Sequence, residues 1–85
     1  MPYIKPKFRD TARRNPMGAG ELNYNITKTV DEYLANNHQP VGYAAYNEVI
    51  GVLECVKLEL YRRCVAPYED VKCAENGDVY GHNKE

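Results

Sequence analysis

The stretch "CVKLELYRRC" sets Lys57, Arg62 and Arg63 close to Tyr61, and cations beside a phenol are a means of holding a phosphate or carboxylate. A guanidinium forks onto two oxygens of such an anion, an ammonium supplies a point charge, and a phenol ring can stack on a base. A second set lies in "ELNYNIT", where Asn23, Tyr24, Asn25 and Thr27 are middling or poor helix formers whose amides and hydroxyls suit hydrogen bonding to a ligand. Helix-start chemistry accounts equally well for one or two of them. The candidate ligand-binding residues are therefore Lys57, Arg62, Arg63, Asn23, Tyr24, Thr27 and Tyr61.

Lys57 also has a plainer reading. Its helical position falls among those of Tyr46, Ile50, Leu53, Tyr61 and Cys64, so its stem is expected to be buried and its ammonium to need a partner. Either it snorkels to solvent or pairs with Glu54 or Glu21, or it joins Arg62 or Arg63 in a cationic recess.

Catalysis finds no such foothold. His38 and His82 have no nucleophile in a structured context, and no glycine-rich phosphate loop occurs. Glu69 and Asp70 are adjacent and diverge on a helix. Cys55, Cys64 and Cys73 are spaced by nine residues with no CxxC pair, so neither a zinc site nor a disulfide framework is expected. They read as buried thiols acting as small hydrophobes. No enzyme activity and no cofactor is expected.

The elements that must hold these residues follow from periodicity. In residues 21–36 the apolar positions Leu22, Ile26, Val30, Tyr33 and Leu34 form one helical stripe, with Glu21 at the end where the dipole favours an anion. "ANNHQPVG" ends this helix and connects it to a second, expected to start at residues 43–46 and to reach at least Val65. A short connector predicts an antiparallel hairpin. In the second helix Tyr46, Val49, Ile50, Leu53, Val56, Leu60, Tyr61 and Cys64 share an arc that Val52, Cys55 and Leu58 widen. That face is too broad for one partner, which predicts packing on the first helix and at a subunit interface. Gly51 in mid-helix predicts a close helix crossing. Pro67 should break or kink the helix, and "PYEDVKCAENG" then reads as a short helix stopped at Asn76-Gly77, with a hairpin about Asn-Gly as the rival.

The fold expected is all-α: a small helical hairpin or bundle, two main helices plus a short C-terminal helix, with an extended N-terminal arm, assembling as an oligomer. Its parts are a basic arm at 1–20 with at most one short helical turn near residues 6–14, a helical core at 21–76 and a tail at 77–85. Tyr3, Ile4 and Phe8 should dock on the core or a neighbouring subunit. With 85 residues a single chain would have only a marginal core, which also favours a partner.

Net charge is −1, so no domain-wide positive field exists and nucleic-acid binding is disfavoured. The arms differ in sign: Lys5, Lys7, Arg9, Arg13 and Arg14 stand near the start, and Glu69, Asp70, Glu75, Asp78 and Glu85 near the end. They could attract one another, or the basic arm could bind phosphate. No apolar run reaches membrane-spanning length and no signal-peptide core opens the chain, so no membrane partner and a cytoplasmic location are expected.

"GELNYNIT", "YNEVIGVLECVKLELYRRCVAPYED" and "ENGDVY", together with the opening "MPYI", resemble a family of short proteins of unknown function from tailed phages and some bacteria. The family supplies no catalytic residues. Its members often carry Thr or Ser where this chain has Ala44 and Ala45, which would close a capping box with Glu48; that cap is absent here. What the resemblance implies is a phage accessory protein in the host bacterial cytoplasm. It could act against host defence by sequestering a small anionic, nucleotide-like ligand in a homo-oligomer. The alternatives are a module that inhibits a host protein and, behind it, a DNA-binding regulator.

Overall fold

In the computed structural model the described residues are 1–37 and 40–82, and the chain forms two compact units, Met1–Val49 and Ile50–Glu85. His38 and Gln39 of the connector and the last three residues of the tail lie outside the described residues. Among the described residues there is no strand, so the chain is all-α.

The first unit opens with a 3-10 turn, Pro6–Phe8, that leads straight into α1, Arg9–Arg14. Pro6 suits the first position of a helix because its missing N–H would be unpaired there anyway. Ala12 is fully buried and sits where α1 packs on α2, Ala19–Asn37. A methyl-sized side chain allows the close approach. The short helical turn expected near residues 6–14 of the arm is present as Pro6–Phe8 and Arg9–Arg14, and it packs on α2. Ile4 is half-buried, close to the start of α2, where a Cβ on Gly20 would lie 3.6 Å from its Cγ2. Tyr3 and Phe8, expected to dock, are exposed.

At the start of α2 the Met17 amide donates to Glu21 Oε1 at 3.2 Å and the Leu22 amide to the Gly18 carbonyl at 2.8 Å. Glu21 therefore satisfies one donor beyond the helix end, which is what a carboxylate in a first turn can do. α3, Tyr43–Leu60, follows Gly42, and the Tyr46 amide donates to the Gly42 carbonyl at 3.1 Å. Ala45 and Val49 of α3 are the other buried residues among those described in this unit.

In the second unit helical backbone runs from α3 through residues 61–65 into α4, Ala66–Asn76. Pro67 neither breaks nor ends it. A proline has no N–H for the carbonyl four residues back and its ring crowds that carbonyl, so the helix widens instead of closing. The Ala66 amide reaches back five residues to the Tyr61 carbonyl, a single π turn. The C-terminal helix is the expected one, rather than the Asn-Gly hairpin. It stops at Gly77, whose φ of 94° favours glycine and whose amide donates to the Cys73 carbonyl at 2.9 Å.

Candidate functional site

Asn23, Tyr24 and Thr27 lie on α2 of the first unit; Lys57, Tyr61, Arg62 and Arg63 lie in the second, at the end of α3 and in the π turn. On α2 the Thr27 hydroxyl donates to Asn23 Oδ1 at 3.1 Å, one helical turn away, so each already has a polar partner. Tyr24 is half-buried, with the Arg9 guanidinium 5.7 Å from its ring centre, while Arg9 Nε donates to the Ile4 carbonyl at 3.1 Å. Arg13 Nη2 donates to Glu32 Oε1 at 2.9 Å, and Arg14 pairs with Asp10 at 3.0 Å. The basic arm thus spends much of its charge on its own unit. The sequence expected this basic arm to attract the acidic C-terminal arm or to bind phosphate, whereas the pairs described for Arg13 and Arg14 are with Glu32 and Asp10. The signal for their internal use was their helical spacing from Pro6 onward.

Glu48, without a cap to close, accepts a hydrogen bond from the Tyr33 hydroxyl. That bond, some desolvation and the carboxylate's charge raise the Tyr33 phenol above its usual value.

In the second unit Lys57 is 70% exposed and pairs with Glu54 at 3.2 Å. The expected partner is correct, but the expected burial of its stem is not, because none of the described residues of this unit covers the face that carries it. Arg62 donates to Glu59 at 2.9 Å, and Lys72 pairs with Glu75 at 3.2 Å while lying 5.8 Å from the Tyr68 ring centre. Arg63 has no ion-pair partner among the described residues.

What this unit offers is a continuous apolar surface. None of its described residues is buried, and Ile50, Val52, Val56, Leu58, Leu60, Tyr61, Tyr68 and Val71 are all largely exposed. The three thiols are exposed too, contrary to the burial expected of them, since they ride on the same uncovered helix. Gly51 marks no close crossing within the chain: a Cβ there would meet nothing within 4 Å. Among the described residues no group of Cys, His and carboxylate side chains could hold a metal ion, and no helix is long and apolar enough to cross a membrane.

No curated protein and no solved structure matches this chain. A family model does, over residues 1–79, and with nearly the whole chain matched the protein belongs to that family, described as a domain of unknown function (DUF6899).

Proposed function

We propose that this chain is a non-enzymatic binding protein whose working surface is the apolar helix of its second unit. One observation carries the reading: over residues 50–76 a helix is built with Leu, Val, Ile and Tyr on a broad face, yet no described residue in it is buried. An isolated helix in water is marginal, and a patch of this extent on a soluble protein marks a surface that another molecule covers. The phage setting implied by its resemblance belongs to the same proposal, as an accessory protein at work in a bacterial cytoplasm.

A second reading, a small anionic ligand of the nucleotide class, draws on Arg63. It stands beside Arg62 and Tyr61 without an ion-pair partner among the described residues, so a phosphate could be its counter-charge.

Native mass spectrometry of the protein purified from bacteria, under mild and then denaturing conditions, tests both. The binding reading expects a mild-condition mass above one chain that falls to one chain when Val56 and Leu60 are both changed to Asp. A one-chain mass for the unaltered protein at every concentration, with no partner lost on substitution, would contradict it. A nucleotide-sized adduct that disappears in Arg62→Glu/Arg63→Glu would establish the second reading.

A further inference from the structure

The apolar face of the second unit has a period. Leu53, Val56 and Leu60 are spaced three and four apart, the a and d positions of a heptad, and the same rhythm precedes them at Tyr46 and Val49. After Leu60 a strict heptad would place the next seam residue at position 63, but Arg63 is there. The apolar series resumes one residue late, at Cys64, Tyr68 and Val71, spaced four and three.

That one-residue slip coincides with the π turn at Tyr61–Val65. A π turn takes up one extra residue without advancing the helix face, so the seam on either side of it stays in one heptad register. With the slip absorbed, Leu53, Val56, Leu60, Cys64, Tyr68 and Val71 form one stripe that winds with the left-handed sense of a coiled coil. Leu60 is 58% and Val71 55% exposed, so both halves of the stripe are open. Lys57 falls at an e position, flanking the seam, where its stem can cover the seam's edge while its ammonium stays with Glu54.

We infer that the occupant of this seam is the same helix of a second copy of the chain, joined in a coiled coil that runs through the π turn. This rests on the binding reading above and names its partner. The period of the seam selects a second copy. A left-handed heptad seam with an extra residue at its middle needs a partner helix with the same period, and a second copy has it by construction. The apolar stripe of α2 does not: Leu22, Ile26, Val30 and Tyr33 step by four, four and three, an 11-residue rhythm of the opposite supercoil sense. The exposure of the stripe fits such pairing: Val56, Leu60, Tyr68 and Val71 are each more than half exposed, and a second copy would cover them on both chains at once.

The three thiols give a test with internal controls. Cys64 lies on the seam, whereas Cys55 and Cys73 lie on the outer side of the helix. The unaltered full chain should elute with the mass of an oligomer by light scattering, and N-ethylmaleimide should modify Cys64 at least about tenfold more slowly than Cys55 and Cys73. Leu60→Glu should give monomers and bring Cys64 to the rate of the other two. Leu58→Glu, the same change on the outer side two residues away, should alter neither mass nor rate. A monomer at all concentrations would overturn the pairing; if that monomer still held a foreign protein through Leu60, the binding reading would survive it. Equal modification of all three thiols in the oligomer, or dissociation by Leu58→Glu as complete as by Leu60→Glu, would also overturn the seam.

Discussion

The two units of this chain solve the same problem differently. Residues 1–49 make a small core of their own: Ala12 at the α1–α2 contact, Ala45 and Val49 on α3, with Arg13 to Glu32 and Tyr33 to Glu48 tying elements together around it. Residues 50–85 hold larger apolar side chains and bury none of the described ones. The difference teaches that apolar content and burial are separate quantities here. The first unit is held by contacts within the chain, whereas the second carries an exposed apolar surface that, in the pairing proposed above, becomes a core on association.

The comparison breaks most sharply at Leu60. Leu60→Ala should cost about 2–5 kcal/mol per subunit in a concentration-controlled denaturant melt, the penalty of a core leucine, although the residue is largely exposed within its own chain. A loss below about 0.5 kcal/mol would mean the face stays wet. The matching test of the first unit is Ala12→Leu. With Ala12 fully buried at the α1–α2 contact, it should cost about 1–3 kcal/mol by overpacking, with the mass of the protein in solution unchanged.

Gly51→Ala separates the two accounts of the second helix. A Cβ there meets open space, and position 51 lies on the outer side of the heptad, so the substitution should add stability of about 1 kcal/mol through helix propensity. A loss of stability would place a close crossing at this point. The smallest effect at neutral pH is that of Tyr33→Phe, read as the difference between its melts and those of the unaltered protein. Because the folded phenol has a raised pKa, the proton-linked part of its contribution is fully present below the ordinary tyrosine value of about 10 and is lost as pH rises through the folded value. The difference between the two proteins should therefore stay constant across pH 7–9 and shrink only in alkali.

The helices themselves were readable from sequence. Leu22, Ile26, Val30 and Tyr33 marked α2, the broad stripe from Tyr46 marked α3, and Asn76-Gly77 marked the end of α4. The π turn was not, because Pro67 signals that a regular helix cannot continue without saying whether the chain will break, kink or take in a residue. Burial was the other blind spot. Periodicity shows which face of a helix is apolar, but not what lies against it, so Lys57, Gly51 and the three thiols were all expected to face packed neighbours that the chain does not supply. Of the candidate ligand residues, sequence chemistry found groups able to bind an anion; the structure sets Asn23, Tyr24 and Thr27 in one unit and Lys57, Tyr61, Arg62 and Arg63 in the other.

Hydrogen exchange of the unaltered protein at two concentrations, one well above and one well below its association midpoint, tests the central claim most directly. Amides of residues 53–71 should be protected at the higher concentration and lose protection on dilution, while those of α1 and α2 keep theirs. Protection of residues 53–71 that does not change on dilution would show that the chain covers this face by itself, and would contradict the account.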